Sequence, residues 1–388
     1  MDALLRKTRF YATLYTTRLG WGSRRFSEIS KEAIRHNDAG AVPPPERGLP
    51  AASRSTLPSA LPRLEGRAPG PLRIHFWAPQ RTPGANVILY DMMPALREEV
   101  RVAGLDWRIE VGAELPREAV DWLVCFKAVP SAAQIVGQPC KVFLICDQPE
   151  YFWSQLHEFD AVVATASRTL AALLVRGHER VAFIGESEPP EYLQFGAKNL
   201  AMPPALRGDV LLWHGGAYSL GPLHNLRPVL ERLAETRAIR LHVISGQGQP
   251  VEERWGKLIV SYFPWSKAQL FASAAQARLG FVPARASLRN SWLKPGSRMR
   301  CLYSLGVPAI GDARVPDAAE FLGEFGGAVA NSAHSWARLL AELWDSPEKL
   351  QTLATAGHAA VTRGHSSQQT ARQWVRYFSL ASPYTAAV

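Results

Sequence analysis

The sequence predicts an α/β protein built from two doubly wound, Rossmann-like domains that face a cleft. Three observations predict it. After about residue 72, short apolar runs alternate with helical stretches. The strands read as continuous apolar segments, such as Asp121–Phe126 and Lys141–Cys146, which marks parallel strands covered on both faces. The alternation breaks once, at Leu200–Arg207 with Pro203-Pro204, and then starts again. The chain of 388 residues is long enough for two such units. Its 47% hydrophobic and 20% charged content suits a folded chain. No apolar run approaches the roughly 18–20 residues of a membrane-spanning helix.

Residues 1–71 read as a basic, Pro-rich N-terminal extension and linker. Between Asp2 and Glu28 there is no acid, while Arg6, Lys7, Arg9, Arg18, Arg24 and Arg25 are present. A transit peptide, a membrane-surface helix and a weakly docked extension all fit this composition. Residues 40–71 carry Pro43-Pro44-Pro45, Pro50, Pro58 and Pro62, the composition of a linker.

The first unit spans 72–206. Arg73–Trp77 is its first strand, followed by a loop to Gly84 and a helix over 86–100 with a kink expected at Pro94. Strands follow at 107–111, 121–126, 141–146 and 159–164. A helix over 167–176 and a strand over 180–184 complete the set. The second unit spans 207–388, its last helix crossing back toward the first. Its strands are 209–214, 240–245, 258–262, 277–282 and 307–310. Helices are expected over 225–236, where Leu226, Val229, Leu230 and Leu233 fall at 3–4 spacing, and over 266–274, 297–305, 335–344, 347–363 and 368–379. In such sheets a ligand binds beyond the carboxyl ends of the strands.

The charge pattern points to an anion. The formal net charge is +10. From residue 254 to 311 no acid occurs, and the interval holds Arg254, Lys257, Lys267, Arg278, Arg285, Arg289, Lys294, Arg298 and Arg300. Lys294-Pro-Gly-Ser-Arg298 opens a helix. A helix start presents free N–H groups and a partial positive charge, so it holds phosphate. Lys294 and Arg298 add a point charge and a planar fork. Backbone N–H groups near Ser297 belong to the same site. A solvated basic loop that binds nothing is the plain alternative.

Other candidates lie on the same strand ends. Gly215 and Gly216 let a phosphate approach the backbone, or simply make a turn. Gly246 ends the next strand. His214 either orients a sugar hydroxyl or packs in the core. Asp147, after a buried strand, is a candidate to contact an acceptor hydroxyl or support catalysis. Trp153, with Glu150 and Tyr151, offers an acceptor platform or a packed helix face. Cys125, Cys140, Cys146 and Cys301 form no C-x-x-C pair, so a zinc or redox site is not expected. They read as buried thiols of a cytoplasmic protein, with a lone disulfide left open. No P-loop, G-x-S-x-G or catalytic triad is visible.

The second half resembles the donor domain of a GT-B glycosyltransferase of the large retaining group that includes family 4. The resemblance runs through Leu211-Leu-Trp-His-Gly-Gly216, Leu241-His-Val-Ile-Ser-Gly-Gln-Gly248 and Val260–Leu270. It ends in Leu279-Gly-Phe-Val-Pro283, Lys294–Arg298 and Gly306-Val-Pro308. Pro79 to Leu96 resembles, more loosely, the turn and helix that open the acceptor domain. The resemblance implies transfer of a sugar from a nucleotide-diphosphate donor to a glycan, lipid or protein acceptor, with no cofactor and no bound metal. Arg298 and Lys294 would neutralise the leaving diphosphate. Gly215, Gly216, Gly246, Ser297 and Asp312 would face the donor, and Gly84, His214 and Trp153 the acceptor. The family usually carries two Glu residues eight apart. Here those positions are Leu293 and Cys301, so ribose recognition by that route is missing. A non-catalytic binding protein and a sugar-nucleotide epimerase are therefore carried as alternatives. The basic N-terminus suits peripheral contact with a membrane. The aromatic-basic pattern of a specific nucleic-acid module is absent.

Overall fold

The computed structural model describes residues 70–381 except 81, 147–150, 166–170, 172–173, 176, 217–218, 247–249 and 285–293. Nearly all of the predicted N-terminal extension, Asp147 and Glu150 thus lie outside the described residues.

Two sheets carry the fold. The first is six-stranded, in the order β2-β1-β3-β4-β5-β6, and every pair is parallel. Its strands are β1 (Leu72–Trp77), β2 (Trp107–Gly112), β3 (Trp122–Phe126), β4 (Lys141–Ile145), β5 (Ala161–Ala164) and β6 (Val181–Phe183). The second is seven-stranded, in the order β13-β12-β11-β7-β8-β10-β9. Its strands are β7 (Val210–His214), β8 (Arg240–Ile244), β9 (Val251–Trp255), β10 (Leu258–Phe263), β11 (Ala277–Val282), β12 (Ala309–Asp312) and β13 (Ala328–Ala330). All its pairs are parallel except β9 with β10.

The continuous apolar runs have the expected cause. On β7, Leu211 and Trp213 enter one core cluster and Leu212 the other. Alternate side chains leave opposite faces of a strand, so a sheet with helices on both sides needs apolar residues at every position.

Several elements differ from expectation, and neither β13 nor the helix Pro316–Gly323 was anticipated. The irregularity expected at Pro94 falls earlier. A helical turn at Pro83–Ala85 runs into a π-helical turn at Asn86–Tyr90, and α1 (Met93–Val102) restarts with Pro94 in its first turn, where a missing N–H costs nothing. β9 was not anticipated. Its residues are exposed up to the buried Trp255, and it is held as an edge strand by its antiparallel pairing with β10. The boundary between the halves also shifts. Residues 190–206 fall in the first unit by the sequence boundary, but α2 (Pro190–Asn199), not anticipated as a helix, packs on the second sheet, where a Cβ on Gly196 would lie 2.0 Å from the Ser304 carbonyl oxygen. Arg207 on α3 (Pro204–Arg207) donates to the carbonyls of Gly306, Asn199 and Met202, which fixes 199–207 to the second sheet as well. The crossover is therefore the segment 184–189.

The chain later crosses in the other direction. The last helix, Ser367–Ala381, brings Ala371, Trp374, Tyr377 and Phe378 into the core of the first sheet. Trp374 stands edge-on to Phe76 with centroids 5.2 Å apart and stacks on Phe378 at 5.4 Å. The two crossovers touch. Glu188 bridges to Ser366, its N–H donates to the His365 carbonyl, and Ser367 Oγ donates to the Glu188 carbonyl. Among the described residues no helix is long and apolar enough to cross a membrane.

Trp374 is fully enclosed, so truncation leaves a large cavity. Trp374→Ala is expected to lower unfolding stability by ~3–5 kcal/mol in a denaturant titration. A loss below about 1 kcal/mol would contradict the packing of the last helix on the first sheet.

Candidate functional site

The second sheet reverses its strand order between β7 and β11, and such a reversal opens a crevice beyond the carboxyl ends of the two strands. Two segments enter that crevice. One is the loop after β7, beginning Gly215-Gly216. The other leads from β11 to α4 (Ser297–Ser304), the basic helix anticipated from sequence.

α4 starts at Ser297 because of what surrounds Gly296. The Gly296 N–H donates to Asp317 Oδ2 at 2.5 Å. A Cβ on Gly296 would meet the Ala318 backbone and Asp317 Oδ2, each at 3.0 Å. Only glycine allows that approach. Asp317 lies in the first turn of α5 (Pro316–Gly323). The helix start is thus already partly occupied by a carboxylate, which narrows the anion site expected there to the amides after Gly296 and to side chains.

Arg298 lies over the Trp213 ring, its Cζ 5.9 Å from the centroid. The planar guanidinium is thereby aligned by an aromatic face. A Cβ on Gly215 would come within 3.0 Å of Arg298 Nη1 and 3.1 Å of the Trp213 ring, so any larger residue at 215 would crowd the guanidinium. Gly216 follows it in the same loop. Lys294 and Ser297 are half-buried just before and at the helix start. The structure therefore brings Arg298 and Gly215 together at the strand-order reversal, with Lys294 and Ser297 close to Arg298 in the chain and Gly216 next to Gly215. Gly246 sits one strand away with φ +67, in the left-handed region, and its carbonyl accepts from the Trp265 N–H.

Several expectations are corrected. His214 was placed on the acceptor side. It is buried, and its Nε2 donates to the Arg298 carbonyl at 3.2 Å. Burial lowers its pKa to about 4, so at neutral pH it is an uncharged donor that supports the start of α4. Asp312 was placed against the donor. It is 1% exposed and accepts from the Ala284 N–H, the Arg314 N–H and the Arg314 guanidinium, so it shapes the loops and leaves no face for a sugar. Trp153 was read as an acceptor platform. Its ring packs beside Gly177, where a Cβ would lie 2.6 Å from Cζ2. That turn precedes β6, at the amino end of the strand. Gly84 sits in the turn after β1, and a Cβ there would meet only Thr82 Oγ1, at 3.9 Å. Nothing in the described protein demands glycine at 84. The four cysteines are free and buried.

Two residues here were not singled out from sequence. Arg314, held by Asp312 at the end of β12, places a second guanidinium at the carboxyl end of the strand next to β11. Trp265 is 47% exposed just beyond β10, a flat apolar face in a polar loop. The exposed aromatic after a strand was the available signal for Trp265. Nothing in the spacing marked Arg314.

Behind the crevice lies a buried charge cluster. Arg300, 2% exposed, donates from Nη1 to Asp317 Oδ2 at 2.7 Å, and its Nη2 is 3.5 Å from Glu186 Oε2. Burial pulls its pKa down, but the two carboxylates outweigh this and leave it raised. Glu188, in the crossover, is pushed up to about 7 by burial, against the opposing pull of Arg300 and a hydrogen bond with Ser304. Among the described residues no group of three or more metal-ligating side chains occurs.

The comparisons agree with this architecture. A family model described as glycosyl transferase-like matches residues 225–376. No curated protein matches the sequence. Among solved structures, a glycosyltransferase from Rickettsia africae aligns with TM-score 0.56 at 10% identity, over 80% of this chain and 98% of its own. HepE from Anabaena, in complex with UDP and glucose, aligns with TM-score 0.55 at 14% identity, over 80% of this chain and 100% of its own. A sucrose-phosphate synthase from Thermosynechococcus elongatus aligns with TM-score 0.54 at 12% identity, over 79% of this chain and 98% of its own. The chain thus has the two-sheet GT-B fold of these enzymes.

The Glu188 carboxyl gives a signed pH dependence. Its folded value of about 7 exceeds the ordinary 4.5, so between those limits the folded protein holds a proton that the unfolded chain releases. Its contribution is intact below pH 4.5 and is lost as pH rises through 7. His214 acts oppositely, its contribution being lost as pH falls from 6.5 toward 4. Glu188→Gln isolates the first effect. Urea unfolding is expected to show a gain of roughly 1–3 kcal/mol over the parent at pH 8 and none at pH 4.5. Equal differences at both pH values would refute the assignment.

Proposed function

We propose that this protein is a glycosyltransferase that moves a sugar from a nucleotide-diphosphate donor to a hydroxyl of a glycan, lipid or protein acceptor. The observation that carries the reading is Arg298. Its guanidinium lies on Trp213, against Gly215, at the strand-order reversal of a GT-B fold. The glycosyl transferase-like match over 225–376 includes Arg298, though it begins after Trp213 and Gly215, and supports the same class.

The chemistry asked of the site is charge neutralisation. In the transfer, the bond from the anomeric carbon to the diphosphate oxygen breaks with its electron pair. A bond from the acceptor oxygen forms, and the acceptor proton passes to a base. Negative charge grows on the leaving diphosphate. Preorganised cations at that spot lower the barrier most, since they need no reorganisation during reaction. Arg298 and Lys294 supply those cations, with the amides of Ser297 and its neighbours beside them. Side-chain cations of this kind favour a mechanism that uses no bound metal. Asp147, which follows β4 in the chain, is the proposed acceptor-side base, with Gly84 also assigned to the acceptor. Retention of configuration, a cytoplasmic setting and peripheral membrane contact through the basic N-terminus complete the reading.

One observation favours a second reading, a donor-binding protein without turnover. Cys301 is buried with its thiol held well above its ordinary value, first by burial and then by Glu188. It cannot replace the carboxylate that the resemblance places there. Release of free sugar or transfer product from a nucleotide sugar by the purified protein excludes this second reading.

The crystals of HepE hold UDP, which makes UDP the first probe. Titration with UDP, GDP and ADP is expected to show saturable binding of at least one. Arg298→Ala and Lys294→Ala should weaken that diphosphate by about 10–100-fold, as loss of a charge-assisted contact does, and the matching nucleoside by less than about twofold. Absence of binding to every nucleoside diphosphate and nucleotide sugar would sink the proposal.

A further inference from the structure

We propose that Arg300 and Asp317 are a positioning pair that aims the start of α4, and with it Arg298, at the donor diphosphate. The inference rests on the nucleotide-sugar reading above.

Helix geometry separates the two arginines of this turn. Residues two apart on an α-helix point about 200° apart, to opposite sides. Arg298 faces Trp213 and Gly215 in the crevice. Arg300 faces the interior, where Asp317 and Glu186 meet it. Asp317 Oδ2 gathers two donors, the Gly296 N–H at 2.5 Å and Arg300 Nη1 at 2.7 Å. One carboxylate oxygen therefore fixes both the entry to the helix and its first turn. The other end of Arg300 reaches outside the second sheet. Glu186 lies in the crossover, and its N–H donates at 3.1 Å to the carbonyl of Thr165, which follows β5 of the first sheet. A continuous path thus runs from Thr165 through Glu186, Arg300 and α4 to Arg298. On the far side, His214 holds the Arg298 carbonyl.

The other groups facing the pair are accounted for. Glu188 acts on Arg300 electrostatically and hydrogen-bonds Ser304, while Cys301 and Tyr192 lie close enough to Glu188 to feel its charge. None of them joins Gly296 to Arg300. That connection belongs to Asp317. Lysine at 300 keeps the charge but lacks the two-armed geometry that reaches Asp317 and Glu186 together. The pair is tied to the amide of Gly296, the residue that caps the start of α4. Small displacements at such a point have large effects, about 100-fold for 1 Å in reacting geometry.

The experiment uses the full chain and the variants Asp317→Asn, Arg300→Lys and Glu186→Gln. Inorganic pyrophosphate, the nucleoside diphosphates UDP, GDP and ADP, and the matching nucleosides are titrated, with thermal melting recorded alongside. Asp317→Asn and Arg300→Lys are expected to weaken pyrophosphate and the bound nucleoside diphosphate about tenfold or more, with the nucleoside changed by less than about twofold. Glu186→Gln leaves the 2.7 Å pair in place and provides a folded variant, with an expected weakening of about threefold. Variants that bind pyrophosphate like the parent, while Arg298→Ala loses it, overturn the positioning role and leave the glycosyltransferase reading standing. Equal weakening of diphosphate and nucleoside also overturns it, since that is the mark of a merely destabilised fold. A folded parent that binds neither pyrophosphate nor any nucleoside diphosphate overturns both.

Discussion

The buried Arg300 is the constraint on which the rest of the second half depends. A guanidinium at 2% exposure has lost its water, and the carboxylates of Asp317 and Glu186, with Glu188 behind them, make that tolerable. Three pieces of chain must then converge on one point. α5 brings Asp317, the crossover brings Glu186, and α4 brings Arg300 itself. The convergence explains Gly296, because the backbone of α5 comes within 3.0 Å of where a Cβ would stand. It also explains how a crossover of few residues is held. Glu186 is anchored to Thr165 on one side and to Arg300 on the other. Leaving one member alone would strand a buried charge, which is why such clusters hold or fail together.

The same cluster resolves the long interval without acids. Residues 254–311 contain none, yet the structure does not leave the whole interval as anion-binding surface. Acids arrive from both flanks, Glu186 and Glu188 from before it and Asp317 from after it. They meet the rear of α4 and leave its crevice face basic. The charge segregation lies between two sides of one helix and is produced by tertiary contact. Lys267, another cation of the interval, is taken up by Glu191 on α2. Arg278 lies over the Trp344 ring and donates to its carbonyl. Arg298 lies over Trp213 at the strand-order reversal.

This is also where sequence reading reached its limit. The parallel strands were legible because burial on both faces demands an apolar residue at every position, and β3, β4, β5, β7 and β11 show it. β9 was not, because an exposed edge strand is held by backbone hydrogen bonds that leave no hydrophobic period. α2 carries little apolar patterning, and its allegiance to the second sheet depends on Gly196 meeting Ser304, over a hundred residues away. In the site, the residue types at the helix start were legible from composition, and Gly215 from its place after a strand. Which of Arg298 and Arg300 faces outward was not, since it follows from the rotational setting of α4. His214 and Asp312 were misplaced for a common reason. A polar residue at a strand end reads as cleft-facing, but here each satisfies a neighbouring loop, His214 the Arg298 carbonyl and Asp312 the Ala284 amide.

The missing carboxylate at 301 follows from the same geometry. Position 301 is one residue beyond Arg300 and lies against the crossover, close enough for Glu188 to raise the Cys301 thiol pKa. A glutamate there would set a second carboxyl against Glu188 in a region that excludes water. Two such groups cannot both ionise without a large cost, and Arg300 is already shared between Asp317 and Glu186. Glu188 on its own is already pushed up to about 7. The site therefore holds one carboxyl at this point, supplied by the crossover and bonded to Ser304, with a small uncharged thiol where the resemblance places the other. A carboxylate at 301 and the carboxyl of Glu188 would therefore compete for one water-excluded place, and the run of the crossover links the two positions.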